Sequence, residues 1–334
     1  MARIWLLILV LLAGWGTARL AGVTGLETSE TYLLASQLLL AVGLYGNTHD
    51  IDPAEARAHA RLIVAAVTVG VVLKAALIAG VLYLFTGDPL ALVLAVAVAQ
   101  IDPLSVASVM GDSRLSPKAR TILAAWASFD DPVTVVLSVY AATLAFSSGG
   151  ITLSHLADLG WNAVFAGTAY VVWRLVRRGP AWLINLAAVA AVLVGAWTFL
   201  MLGLAAAGLF LRLPDGRRLA QAVAVAFPLA AFLMGMLLVG GVAVAEGLLL
   251  GAVAFCAQGF AAVALTWGLP VIDRVRLALA QQNGVTAVIL ALVFERSLDG
   301  FVAVVAPAVV TVNLLHALAN RAADTWERRR SVVP

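Results

Sequence analysis

The sequence has little charge and almost no cysteine. Only 12% of its 334 residues are charged, about half the share of an ordinary soluble domain, and 63% are hydrophobic. The single cysteine, Cys256, excludes an internal disulfide and a cysteine-based metal cluster. Apolar runs of roughly twenty residues recur along the chain, and that length lets a helix cross a bilayer core of about 30 Å. These features exclude a soluble globule.

The sequence pI is about 9.3, which is a value typical of nucleic-acid-binding domains. Here, however, the basic residues lie in short loops between apolar segments and not along one face of a domain. We therefore exclude nucleic acid as a partner and expect a lipid bilayer instead.

The apolar runs predict an all-α polytopic membrane protein of about 12 transmembrane helices. The first run follows Arg3 and could also be a cleaved signal peptide, although it fits as a retained span. The expected spans are 4–22, 31–47, 60–86, 89–110, 119–145, 158–174, 181–197, 199–213, 219–239, 242–267, 275–296 and 300–322.

The distribution of Lys and Arg predicts the orientation. With twelve spans, 18 of the 21 basic residues fall on the side of both termini, and the opposite side has only Arg19 and Arg296. By the positive-inside rule, both termini are cytoplasmic and the protein is integral to the inner or plasma membrane.

Three carboxylates lie inside predicted spans: Asp102 in the fourth, and the adjacent Asp130 and Asp131 in the fifth. Each costs about 3 kcal/mol at a helix centre, so the three together cost on the order of 9 kcal/mol. Lys74, central in the third span, is the one intramembrane base that could pair with them. Three acids against one base favour an ion or proton site over a closed structural pair.

Two of these acids precede a proline, in Asp102-Pro103 and Asp131-Pro132. A proline inside a helix removes a hydrogen bond to the carbonyl four residues earlier, which frees the carbonyls of Ala99 and Ser128. Carbonyl and carboxylate oxygens together suit a hard cation. Adjacent buried carboxylates also titrate as a coupled pair, so cations and protons would compete for the same oxygens.

The eleventh span carries a matching irregularity, Gln281-Gln282-Asn283-Gly284 amid apolar residues. Spans three to five and ten to twelve are offset by an odd number, so they run in opposite senses and form an inverted repeat. Interrupted segments at corresponding positions of two inverted halves indicate a transporter's midplane site. Asn313 and His316 lie at a similar depth and could either join this site or form ordinary interhelical hydrogen bonds.

Several segments resemble the cation/proton antiporter superfamily of the sodium/hydrogen exchanger type. They are AQIDPLSVASVMGD around Asp102, ASFDDPVTVVL around the acid pair, and AQQNGVTAVILAL in the eleventh span. The resemblance implies a fold with two broken crossing helices, with Asp102 at the crossing. It also implies that Asp131 and Asp130 bind the cation and the proton, supported by Ile101, Ser128, Gln282, Asn283 and Lys74.

The resemblance further implies a homodimer in which a core moves against a dimerisation panel. The panel would comprise 1–59 and 181–240, the core halves would be 60–145 and 241–322, the linker span 146–180, and the cytoplasmic tail 323–334. It implies no cofactor beyond the transported sodium or other monovalent cation and the proton.

The sequence departs from the family pattern at three places. Ile101 stands where the family has Thr, and Trp126 where the electroneutral branch has Glu. The tenth-span lysine of the electrogenic branch is absent, and we expect Lys74 to replace it as the counter-charge of Asp130.

Three other functions remain open from the sequence. A carrier of the same fold could move an organic solute coupled to sodium or protons, and a channel could use the same acids. An intramembrane aspartyl protease would need a Gly-x-Gly-Asp context, which is missing at Asp102 and Asp131, so we do not expect an enzyme.

Overall fold

The computed structural model describes residues 2–49, 51, 54, 57, 60–102, 115–146 and 153–331. Within these ranges the chain is helical, with short turns between helices. Helix α3 is composite: it consists of Ala60–Ala65, a π-helical segment at Ala66–Gly70, and Val71–Thr86. The other helices are α1 Ala2–Ala21, α2 Glu30–His49, α4 Leu90–Val98, α5 Pro117–Phe146, α6 Leu153–Val176, α7 Ala181–Thr198, α8 Met201–Gly208, α9 Gly216–Leu237, α10 Val244–Leu265, α11 Val271–Ala278, α12 Val285–Glu295 and α13 Phe301–Ser331.

Each predicted span has a helical counterpart in the described residues, although several differ in extent. The eighth span is helical over only 8 residues, Met201–Gly208, which is too short to cross a bilayer alone. The last helix continues to Ser331, through most of the segment expected to be a tail. The second half of the fourth span, 103–110, lies outside the described residues.

Six helices are long and apolar enough to cross a membrane by length and composition, counted over the described residues. Their outer faces carry large apolar side chains that no protein atom covers, among them Leu9, Trp182, Leu193 and Phe260. Lipid is the solvent that such surfaces require. The protein is an integral, multi-pass membrane protein.

The helices pack in two groups. In one, α1 lies against α9, and α2 packs on α7, α8 and α9; in the other, α3, α4, α5, α10, α12 and α13 pack on one another. Glycine permits the closest crossing in the first group, because a Cβ at Gly235 would overlap the carbonyl of Leu11. Helix α2 also touches α5 and α12, so it lies at the boundary. The division into a moving core and a panel stays a prediction.

The expected backbone break at Asp131-Pro132 is wrong. Helix α5 runs without interruption from Pro117 to Phe146, so the chain accommodates Pro132 inside a regular helix. The break at Asp102 is present, because α4 ends at Val98 and residues 99–102 are not helical. One Asp-Pro pair therefore marks a broken helix and the other does not.

Candidate ion-binding site

Two non-helical segments meet at the centre of the second group. Residues 99–102 follow α4, and residues 279–284 separate α11 from α12. The backbone amide of Asp102 donates to the carbonyl of Gln282 at 2.9 Å, which joins the two non-helical segments directly. The predicted fold with two broken crossing helices is confirmed.

Side-chain amides from one break satisfy the carbonyls of the other. A helix end leaves its last carbonyls without intrahelical donors, and these need partners when buried. Gln281 donates to the carbonyls of Val98 and Gln100 at 3.0 and 2.8 Å, and Asn283 donates to Val98 at 3.0 Å. The Gln-Gln-Asn-Gly sequence is therefore needed to stabilise the open end of α4.

The carboxylate of Asp102 lies against Gly284, immediately before the first residue of α12. A Cβ at position 284 would overlap the Asp102 carboxylate, so only glycine permits this approach. The N-terminus of a helix carries a partial positive charge, which favours a carboxylate there. Asp102 is therefore placed where its negative charge can interact favourably with the dipole of α12.

Asp130 forms a fully buried ion pair with Lys74. The Lys74 Nζ lies 2.9 Å from Asp130 Oδ2, and both side chains are 0% exposed. The backbone amide of Ile101 donates to the same oxygen at 2.9 Å. The ammonium also lies 5.3 Å from the ring centroid of Trp126, within the range of a cation–π interaction. Trp126 thus supplies an aromatic face for Lys74.

Asp131 is buried without an ion pair among the described residues. Its Oδ2 accepts hydrogen bonds from the Asn47 amide at 2.5 Å and from the Thr286 hydroxyl at 2.7 Å. These donors come from α2 and α12, which are 84 and 155 residues away in sequence. Two neutral donors hold the carboxylate in place and leave its charge uncompensated.

Among the residues that the structure describes, one oxygen of each adjacent carboxylate has no hydrogen-bond partner. Asp130 Oδ1 and Asp131 Oδ1 are both buried and unpartnered, as are Gln281 Oε1 and Asn283 Oδ1 at the crossing. Buried polar atoms are nearly always satisfied, so unpartnered acceptors of this kind require an explanation. Oxygen acceptors, two of them from carboxylates, are the ligand type that a hard cation takes.

Helix α13 supports the second break. Asn313 donates to the carbonyl of Asn283 at 2.8 Å. The two ring nitrogens of His316 lie 2.7 Å from the Leu279 carbonyl and 2.6 Å from the Gln282 amide nitrogen. Both side chains therefore hold the non-helical segment and do not contact the Asp pair.

A cavity of about 250 Å³ lies between α5, α6 and the turn from α7 to α8. Its lining includes Val135, Tyr140, Asn162 and Thr198. Val135 is one helical turn beyond Asp131 on α5, so the cavity lies beside the part of α5 that follows the acid pair.

The structure thus brings Asp130, Ile101 and Lys74 together, and it places Asp102, Gln282 and Asn283 at the neighbouring crossing. The side chain of Ser128 falls outside the described part of α5. Sequence reasoning missed the two side chains that donate hydrogen bonds to Asp131, which are those of Asn47 and Thr286. Thr286 lies within a segment quoted for the family resemblance and Asn47 does not, but neither is charged, and no local pattern indicates which helix faces which.

Fold and site together define a helical membrane protein with buried acids beside two non-helical segments that meet inside the helix bundle. The chain is similar to a structure of the sodium proton antiporter MjNhaP1 from Methanocaldococcus jannaschii at pH 8, with a TM-score of 0.74 and 16% identity, covering 94% of this chain and 92% of that one. An electron-microscopy structure of the same antiporter gives a TM-score of 0.70 and 15% identity, covering 97% and 89%. No family model and no curated protein matches the sequence. The chain therefore shares the fold of these two sodium proton antiporter structures.

Proposed function

We propose that the protein is a secondary transporter that exchanges a monovalent cation, Na⁺ or alternatively K⁺ or Li⁺, for H⁺. The observation that carries this proposal is the adjacent pair Asp130 and Asp131, buried at the helix crossing with one unpartnered oxygen each. The fold shared with a sodium proton antiporter adds support.

The two acids have different roles in this mechanism. Lys74 neutralises Asp130, so a bound cation would be attracted chiefly by the uncompensated charge of Asp131. A proton on Asp131 removes that charge, and the two ligands therefore exclude one another. Competition at a site that opens alternately to the two sides of the membrane produces exchange.

We further propose how the two helix groups move and how the chain is oriented in the membrane. The second helix group moves against the first, the protein is a homodimer, and both termini are cytoplasmic. The cavity beside Val135 is then the access route from the outer side.

Proton flux in proteoliposomes with an imposed pH gradient tests the function. Sodium, lithium, potassium and choline chloride are added in turn, for the parent protein and for Asp131→Asn. We expect one or more alkali cations, but not choline, to dissipate the gradient, and Asp131→Asn to abolish this flux. The apparent KM for the cation should rise as the pH falls, because protons compete for Asp131.

Two results would argue against exchange. No cation-dependent flux in well-folded parent protein would favour the carrier of an organic solute. Flux that does not saturate and needs no countertransported proton would favour a channel.

A further inference from the structure

Asn47 connects the two helix groups at the ion site itself. Its side chain is 7% exposed and donates to Asp131 Oδ2, and its own helix, α2, packs on α7, α8 and α9 as well as on α12. The neighbours of Asn47 fix this end of α2 to the segment after α8. Tyr45 donates to the Leu211 carbonyl, and His49 accepts from the Leu213 amide at 3.1 Å.

The second donor to Asp131 belongs to the other group. Thr286 lies on α12, which packs with α13 in the group that contains Asp131. If the groups move relative to each other, Thr286 and Asp131 travel together. The bond from Asn47 has to break.

The two donors also differ chemically. A hydroxyl can donate to a carboxylate and present its lone pairs to a cation at the same time. The Asn47 NH₂ group has no lone pair to offer, so the amide must turn its oxygen towards a cation, and that breaks its hydrogen bond to Asp131. A cation held by both oxygens of Asp131 would therefore tolerate Thr286 but oppose the NH₂ group of Asn47. A proton on Asp131 keeps the bond but removes its charge, and a hydrogen bond to a neutral group is roughly half as strong.

We infer that the hydrogen bond from Asn47 to Asp131 is a latch that holds the two helix groups together when the site is empty and charged. Either ligand weakens the latch, by displacing the amide or by neutralising its acceptor. The latch therefore suppresses crossing of the empty carrier, which would otherwise uncouple exchange. This inference rests on the proposed cation/proton exchange.

The test compares two fluxes of radioactive sodium from loaded proteoliposomes at alkaline pH. Efflux into sodium-containing medium measures exchange. Efflux into sodium-free medium requires the carrier to return either protonated or empty, so it is measured at several alkaline pH values and extrapolated to zero proton concentration, where only return of the empty carrier remains. We expect Asn47→Ala and the similarly shaped Asn47→Leu to raise the ratio of this extrapolated efflux to exchange about tenfold, which corresponds to ~1.4 kcal/mol.

Tyr32→Phe is the matched control. The Tyr32 hydroxyl donates to the Leu292 carbonyl at 3.2 Å, so it also joins α2 to α12, but it does not touch an ion-binding group. Its loss weakens the same contact equally in every loading state and should leave the ratio unchanged.

The outcomes separate the two proposals. An unchanged ratio in both Asn47 variants, or an equal rise in Tyr32→Phe, overturns the latch while leaving exchange intact. A parent protein that exchanges no sodium, lithium or potassium overturns the proposed function, and the latch with it.

Discussion

Removing Lys74 should destabilise the protein, because it leaves Asp130 buried without a counter-charge. Both side chains are 0% exposed and 2.9 Å apart, so water cannot replace the lost partner. Breaking a buried pair by removing one member costs about 3–5 kcal/mol. For a chain of 334 residues we expect Lys74→Met to lower the thermal unfolding midpoint by roughly 4–7 °C.

A double-mutant cycle measures the interaction energy between Lys74 and Asp130. Asp130→Asn alone strands the ammonium of Lys74 and should cost a similar amount. Combining Lys74→Met with Asp130→Asn removes both charges, and replacing a buried pair by neutral groups is often nearly neutral in stability. The double variant should therefore unfold closer to the parent than either single variant.

Thermal unfolding of the purified protein in detergent, followed by tryptophan fluorescence, measures these differences. Arg218→Met provides the control, because its contact with Asp215 spans 4.0 Å with side chains 86% and 60% exposed, and such pairs contribute little. The destabilisation by Lys74→Met should be smaller at acidic pH, where a proton can neutralise the stranded Asp130, and larger at alkaline pH.

Two results would refute this reasoning. The first is a neutral or stabilising effect of Lys74→Met at alkaline pH. The second is a double variant as unstable as the sum of the two single variants. In transport, an unchanged turnover and pH profile of Lys74→Ala would show that Lys74 is not the functional counter-charge of Asp130.

Two glycine substitutions test the close approaches in the fold. Gly284→Ala would force a methyl group into the Asp102 carboxylate, so cation-dependent flux should fall and the unfolding midpoint should drop, by about 1–3 kcal/mol in free energy. Gly235→Ala would separate α9 from α1 at Leu11 and should lower the midpoint by a similar amount while leaving the cation dependence of flux intact. Gly16→Ala is the control for both substitutions, because nothing lies within 4 Å of its added Cβ. If Gly16→Ala lowered the midpoint as much as the other two, steric overlap would not explain their effects.

The break in the eleventh span shows how far local sequence can go. A polar run with glycine inside an apolar span predicts irregular backbone, because unpaired polar groups are tolerable in a membrane only where protein or a cavity surrounds them. The chain is broken there, at 279–284. The prediction of irregular backbone at Pro132 was wrong. A proline removes one hydrogen bond from a helix, but it does not by itself decide whether the helix ends.

The eighth span shows a second limit. Hydropathy places an apolar segment at 199–213, and α8 is there, but only 8 residues of it are helical. Hydropathy reports that a segment is buried in apolar surroundings. The length over which that segment is helical depends on contacts with neighbouring helices. One such contact joins α8 to α6, where the Asn162 side chain accepts a hydrogen bond from the Gly203 amide at 2.8 Å.

The sequence by itself determined the solvent, the approximate bounds of the helices, the inverted arrangement of the two halves and the acids of the site. These follow from hydropathy, helix length and charge, which are properties of contiguous segments. Only the tertiary structure decided that Lys74 reaches Asp130, and that Asn47 and Thr286 hold Asp131 from helices 84 and 155 residues away. Such partners depend on how the helices rotate and pack against one another, and a neutral side chain leaves no mark in hydropathy or charge that would reveal the contact.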